Sequence, residues 1–268
     1  MPEFSEGAPN WADVSLPDLA AGQRFYGELF GWTFQDQGEQ YGHYTMALRD
    51  GKHAAALMAK PDPSTRTAWN QHLASADAAK TAERVREAGG QIVYGPHTVG
   101  DTGVMVGAID PGGSFFGVWQ PGTHPGFGIV NEPGGFCWTE NLTTDGAAVD
   151  TFYRSVFGYD TQQIGDGAQF DYAVYSLPTM PDGPVAGRAG RAADEPAGDQ
   201  ADAPAAYQIY FAVEDADAAA ATVRRLGGQV HQEPKDSPFG RMTVVSDDQG
   251  ARFAMIDLSR TVGEPPAR

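Results

Sequence analysis

Apolar and polar residues alternate over short stretches of this chain, longer segments with helical spacing lie between them, and the same order then recurs. WADVSL (11–16) and WTENLT (138–143) alternate with a period of two, as half-buried strands do. Each is followed by a helical segment, PDLAAGQRFYGELFG (17–31) or TDGAAVDTFYRSVFG (144–158). In the first, Phe25, Leu29 and Phe30 gather on one face. Asp18 and Asp145 stand at the helix starts, where a carboxylate accepts orphan backbone N–H groups, and Gly31 and Gly158 stand at the stops. Short strands with turn signals are predicted next, near 32–36, 42–48 and 53–59 in the first half and near 159–163, 170–177 and 184–190 in the second. The order then restarts. NQHLAS (70–75) and QIYFAV (208–213) read as strands, and DAAKTAERVREAG (77–89) and DADAAAATVRRLG (215–227) as helices. Three further strands are expected near 91–94, 103–109 and 115–119, and near 229–232, 241–246 and 252–257.

The recurrence is also one of residues. With an offset of 138 − 11 = 127 and no gap, Trp11 meets Trp138, Asp18 meets Asp145, and Phe25-Tyr26 meets Phe152-Tyr153. Phe30-Gly31 likewise meets Phe157-Gly158, and later RVREAGGQIVYGP (84–96) answers TVRRLGGQVHQEP (222–234). A unit this long is a domain rather than a solenoid repeat. Each half is therefore strand-helix-strand-strand-strand, twice, and the chain holds four such units. We expect domains over 1–122 and 136–258, a Gly/Pro-rich linker over 123–135, a surface insertion over 178–206 and a tail over 259–268.

Composition narrows the partners. The 268 residues carry a net charge of −17, which disfavours nucleic-acid backbones and anionic membranes. It permits attraction of cationic small molecules. No apolar run approaches the roughly 18 residues that span a membrane. The opening residues, MPEFSEGAPNW, lack the basic and apolar regions of a secretory signal. A single cysteine, Cys137, excludes an internal disulfide and suits a reducing cytoplasm. No phosphate-binding glycine loop, nucleophile elbow or HExxH motif is found.

Four βαβββ units in tandem, with FY…FGW after the first strand, the D-P-x-G turn (Asp110-Pro111-Gly112-Gly113) and Gly240-Arg241-Met242, resemble the vicinal oxygen chelate superfamily. The resemblance covers about residues 8–258 and looks closest to two-domain glyoxalase-like proteins of actinobacteria. It implies an α+β fold in which four βαβββ units form two tandem cup-shaped domains. It also implies that metal-dependent members hold a divalent ion with His, Glu or Gln from the first and last strands of each unit. Counted back from the helix-start aspartates, the first-strand ligand positions hold Trp11 and Trp138. The other positions hold Ala56 and Gly187, Asn70 and Gln208, and Gly117 and Ala254. None is His, Asp or Glu, so the expectation is no metal and no cofactor in either cup, which disfavours glyoxalase I and dioxygenase activity.

Alternation then places Trp11 and Asp13 on the cup face with Asn70, His72, Gly117 and Trp119. The matching set is Trp138, Glu140, Gln208, Tyr210 and Ala254. A Trp opposite a Gly or Ala leaves a flat apolar slot with polar edges, suited to a planar ligand or simply packed as core. Asp13 and His72 are the candidates for acid/base work. Trp11, Asn70, Trp119, Trp138, Glu140, Gln208, Tyr210 and Arg241 are the candidates for ligand binding. For Arg241 the choice lies between a ligand carboxylate and a structural salt bridge. The other five histidines read as surface or turn residues. Three functions stay open: a metal-free protein that binds a small organic molecule such as an antibiotic or another secondary metabolite; a metal-free isomerase, cyclase or lyase; and an interaction protein with inert cups. The chain is expected to be a monomer with an internal pseudo-dimer, or a homodimer.

Overall fold

A computed structural model describes residues 4–60, 62, 64, 66–164, 171–190 and 206–263. The first half holds β1 (Pro9–Leu16), α1 (Leu19–Phe30), β2 (Thr33–Asp36), a 3-10 turn (Glu39–Tyr41), β3 (Thr45–Arg49) and β4 (Lys52–Ala59). It continues with β5 (Ala68–Ala74), α2 (Ala78–Glu87), β6 (Gln91–Val99), β7 (Gly103–Ile109) and β8 (Phe115–Pro121). The second half repeats the order with β9 (Phe136–Thr143), α3 (Gly146–Phe157), β10 (Asp160–Gln163), β11 (Tyr172–Ser176) and β12 (Ala186–Gly190). β13 (Ala206–Ala212), α4 (Ala216–Arg225), β14 (Gln229–Ser237), β15 (Gly240–Ser246) and β16 (Arg252–Asp257) complete it. Each half makes one eight-stranded sheet, in the orders β2-β3-β4-β1-β5-β8-β7-β6 and β10-β11-β12-β9-β13-β16-β15-β14. The first strands of the two units, β1 with β5 and β9 with β13, pair antiparallel at the centre of each sheet. This is the expected α+β fold of two tandem cups. Of the stretch 178–206, β12 takes the part 186–190, and residues 191–205 lie outside the described ones.

The capping signals act as the sequence implies. Asp18, Asp77, Asp145 and Asp215 each accept a backbone N–H of the first helical turn, and Gly31 and Gly158 close α1 and α3 in the left-handed conformation. β6 and β14 run longer than expected, through Pro96 and Pro234. Both are edge strands whose register against β7 and β15 shifts at those prolines, so the missing N–H breaks no continuous ladder.

One face of each sheet packs on the helices, and the halves share that core. One buried cluster joins Phe25, Tyr26, Phe30 and Trp69 of the first half to Phe211, Phe253 and Met255 of the second. Another joins Val85, Phe116 and Val118 to Phe152, Tyr153 and Phe157. Two buried carboxylates tie the halves as well. Tyr26 donates to Asp247 at 2.8 Å, and Tyr153 donates to Asp110 at 3.1 Å, beside Asn141 at 2.7 Å. Burial raises the pKa of Asp110 and Asp247 despite these donors. The FY tyrosine of each half therefore meets the turn aspartate of the other, which accounts for both sequence signatures.

Candidate functional site

The opposite face of each sheet carries the candidate chemistry. β1 pairs with β4 and β5 so that Asp13 lies across from both Ala56 and Asn70, while Trp11 lies across from His72 and His72 beside Gly117. In the second sheet Glu140 lies across from Gly187 and Gln208, Trp138 from Tyr210, and Tyr210 beside Ala254. The centre of each first strand is an acid, Asp13 or Glu140, and the tryptophan sits two residues earlier. A one-residue bulge lies before Trp11 and before Trp138, and from each tryptophan onward the pairing with β5 or β13 is regular.

In the first cup Asp13 is the hub. Its Oδ2 accepts from the Tyr44 hydroxyl at 3.0 Å and meets His72 Nε2 at 2.9 Å, while Oδ1 accepts from Asn70 at 2.8 Å. Trp11 Nε1 donates to the Tyr44 oxygen at 2.8 Å, which completes a chain from tryptophan to carboxylate. Asp13 and His72 are each 2% exposed. Burial alone would raise the Asp13 pKa, but the His72 charge and the donors His72, Asn70 and Tyr44 outweigh it and hold the carboxyl below its usual range. Burial and the Asp13 charge push the Tyr44 phenol well up, so it stays a donor. Only glycine fits at 117, because a Cβ there would run into the His72 imidazole at Nδ1.

The linker covers this cup. The His124 ring meets Trp11 edge-on at 4.4 Å and lies 5.2 Å from the His53 ring and 5.8 Å from the Trp119 ring. The Trp119 indole donates to the His124 carbonyl at 2.9 Å. Phe127 lies 5.5 Å from Trp11 and stacks on Phe136 at 4.6 Å. Burial, then the nearby His53 and His72, pull the His124 pKa down to about 4, so its ring is neutral at pH 7. Four groups of this region are not satisfied. Among the described residues His72 Nδ1, both ring nitrogens of His124 and the side-chain amide of Asn10 are buried without a hydrogen-bond partner. Each such group costs about 1–3 kcal/mol.

The second cup is built on the same plan with different chemistry. Glu140 accepts from Tyr172 at 2.9 Å and from Tyr210 at 2.7 Å, Gln208 donates to the Tyr210 oxygen at 3.0 Å, and Trp138 Nε1 lies 3.3 Å from the Tyr172 hydroxyl. Burial raises the Glu140 pKa against the pull of Tyr210, Tyr172 and Trp138, none of which carries a positive charge. Trp138 and Glu140 are only half-buried where Trp11 and Asp13 are buried. Met242, Val244 and Ala254 supply the apolar lining with Tyr210. Cys137 sits at the bulge, packs on this lining and donates to the Tyr210 carbonyl. Burial raises its thiol pKa, so it is held as the neutral thiol.

The structure thus brings Trp11, Asp13, Asn70, His72 and Trp119 together in one cup and Trp138, Glu140, Gln208 and Tyr210 in the other. Arg241 joins neither. It alternates with Met242 on β15 and is spent on Asp217 at 2.6 Å and Asp236 at 2.8 Å. Tyr44, Tyr172, His53 and His124 belong to the cups without having been predicted. The tyrosines had a signal, since His43-Tyr44 and Asp171-Tyr172 fall 128 residues apart at the start of the third strand of each half. His53 and His124, read as surface or turn residues, instead pack on Trp11, His53 from β4 and His124 from the linker, whose path over a cup is not written in periodicity.

A divalent ion of the kind superfamily members use needs about three protein donors of imidazole or carboxylate type. The first cup holds Asp13 and His72, spent on each other, with His53 and His124 packed around Trp11, and the second holds Glu140 alone. Among the described residues no cluster of three His, Cys, Asp or Glu is placed to hold an ion. The donor set does not fit such a metal. No described helix is long and apolar enough to cross a membrane.

Known proteins share both the sequence pattern and the fold. The chain matches the sequence profile of the Glyoxalase/Bleomycin resistance protein/Dioxygenase superfamily over residues 8–118 and 127–255. It is 35% identical to a putative glyoxylase, CFP32, of Mycobacterium bovis, over 95% of this chain and 96% of that one. It is 33% identical to the anthracycline biosynthesis protein DnrV of Streptomyces peucetius, over 96% of each. Among solved structures, the 2,3-dioxygenase LapB of Pseudomonas sp. KL28 superposes with a TM-score of 0.65 at 14% identity, covering 99% of this chain and 95% of that one. The Mn(II)-bound glyoxalase of Novosphingobium aromaticivorans gives 0.62 at 14%, covering 98% and 88%. At that identity these two likenesses carry the fold alone.

Proposed function

The chain belongs to the glyoxalase/bleomycin resistance protein/dioxygenase superfamily, and we propose that it binds a small, planar, uncharged organic molecule in its first cup without a metal ion. One observation carries this reading. His72 Nδ1 and both His124 nitrogens are buried without partners around Trp11 and Trp119, so the cup holds hydrogen-bonding capacity that the protein does not use itself. The indoles supply apolar faces for a flat ring system. A neutral His124 offers one donor and one acceptor, which matches a ligand with keto and hydroxyl groups. The Asp13 charge is already met by His72, Asn70 and Tyr44, so it favours a neutral ligand over a cationic one. The name of the Streptomyces relative, an anthracycline biosynthesis protein, supports a polycyclic aromatic ligand. Asp13 and His72 hold each other instead of an ion, which supports metal independence.

A second reading is favoured by the same pair. With Nε2 fixed on a carboxylate and Nδ1 unspent, His72 is oriented as a general base is, with Asp13 as its counter-charge. A proton moved by Nδ1 would make the protein an isomerase, cyclase or lyase of its ligand.

Titration calorimetry of chelator-treated protein with 1,8-dihydroxyanthraquinone tests the binding reading. Saturable binding is expected. His72→Gln weakens it at least tenfold, about 1.4 kcal/mol, and Trp138→Ala leaves it unchanged. The reverse pattern moves the site to the second cup, and no binding of this probe or of other hydroxyquinones favours inert cups. Turnover that Asp13→Asn abolishes with binding retained establishes the second reading.

A further inference from the structure

Residues 122–130 do more than join the halves. They leave the end of β8 along the β6–β7 turn, where Gly122 and His124 N–H groups reach the Thr102 carbonyl, and then cross the first cup. Phe127 N–H donates to the Asn10 carbonyl at 2.9 Å and Gly128 N–H to the His53 carbonyl at 2.7 Å, so the segment is pinned to both β1 and β4. Gly126, at φ +118°, lies so close that a Cβ would strike the Asn10 carbonyl, which lets the segment hug the sheet. Its Phe127 and Ile129 anchor it in the core beside Phe136, but at His124 it makes a poor filler. The ring it inserts, His124, brings two polar nitrogens into a buried space and pairs neither, directly over Trp11 and beside a cup that also leaves His72 Nδ1 unpaired. A permanent core filler in that place would be apolar. A closing element whose inner surface is meant for a ligand would carry such a group.

We propose that residues 122–130 form a strap that opens to admit the ligand to the first cup, and that His124 on its inner side then hydrogen-bonds the bound molecule opposite His72. The proposal rests on the binding reading above and adds the gate and the His124 contact. It accounts for the division between the cups. The first is closed and under-satisfied, while the second is half-open and its acid, phenols and amide satisfy one another.

Residue-resolved hydrogen exchange of the full chain, with and without 1,8-dihydroxyanthraquinone, tests it together with stopped-flow binding to wild type and His124→Ala. The strap amides of Phe127 and Gly128 are expected to exchange at least tenfold faster than the β1–β5 ladder in the free protein and to slow when the probe binds. His124→Ala is expected to raise both the association and the dissociation rate several-fold. Probe binding with unchanged strap exchange and wild-type rates in His124→Ala overturns the strap and leaves the binding reading standing. Strap amides that exchange only with the β1–β5 ladder overturn it whether or not the probe binds. Fast strap exchange with no probe binding supports a strap that opens and places the failure on the ligand reading.

Discussion

Replacing Asp13 by Asn and Glu140 by Gln in parallel exposes the difference between the two cups. Asp13 accepts three hydrogen bonds, at 2.8 Å from Asn70, 2.9 Å from His72 and 3.0 Å from Tyr44. In Asp13→Asn the new side chain can keep its oxygen toward Tyr44 and His72 and present its amide to a flipped Asn70, so the bonds survive but lose the charge. Bonds to a charged group contribute about 1.5–3 kcal/mol and neutral ones about 0.5–1.5. With about 1 kcal/mol lost at each of three bonds, Asp13→Asn should destabilise by about 3 kcal/mol at pH 7. The pH dependence has a definite sign. The folded Asp13 pKa is lowered, so its contribution is full above the unfolded value of about 3.9 and fades as pH falls through the folded value. The gap between wild type and Asp13→Asn should therefore close in acid. The Glu140 pKa is raised, so its contribution is present below the unfolded value of about 4.3 and lost as pH rises through the folded value. Glu140→Gln should be within about 1 kcal/mol of wild type at pH 7 and fare relatively worse in acid. Urea unfolding from pH 7 down to pH 3 reads both. An Asp13→Asn protein within about 0.5 kcal/mol of wild type at pH 7, or a gap that widens in acid, refutes the reasoning.

Arg188 is buried among Asp150, Asp171 and Gln163, so Arg188→Ala should cost about 3–5 kcal/mol in urea unfolding. Tyr26→Phe removes the donor that crosses from the first half to Asp247 and should cost about 1–3 kcal/mol, with Phe253 and Trp69 packing retained. Treatment with a chelator should leave both the midpoint of unfolding and probe affinity unchanged, as read by urea unfolding and calorimetry. A drop in either means that a metal contributes.

The fold was legible because its signals are local and doubled. Asp18 with Gly31 and Asp145 with Gly158 bound two helices, and the period of two in β1 and β9 sets which residues share a face. The cup residues were legible as far as alternation reaches, which brought Asp13 and His72 to one face. Their 2.9 Å approach depends on the antiparallel register of β1 against β5, which places Asp13 across from Asn70 and diagonal to His72, and no local signal marks that register. Edge strands β6 and β14 outran their predicted lengths because a proline that would stop a central strand is tolerated at an edge. Arg241 could be read either way because alternation needs a neighbour to fix the sign. The structure supplies Met242 on the cup lining and Asp217 and Asp236 on the other side. The strap was beyond reach, since THPGFG has the composition of any linker and its place over Trp11 is a tertiary fact.

The central claim is that unspent imidazole nitrogens in the first cup are there for a ligand. The most direct test is nitrogen-15 NMR of the histidine side chains in metal-free protein, titrated with 1,8-dihydroxyanthraquinone. His72 Nδ1 and at least one His124 nitrogen are expected to shift on binding while His97 and His231 stay put. Binding that leaves His72 and His124 unmoved contradicts it.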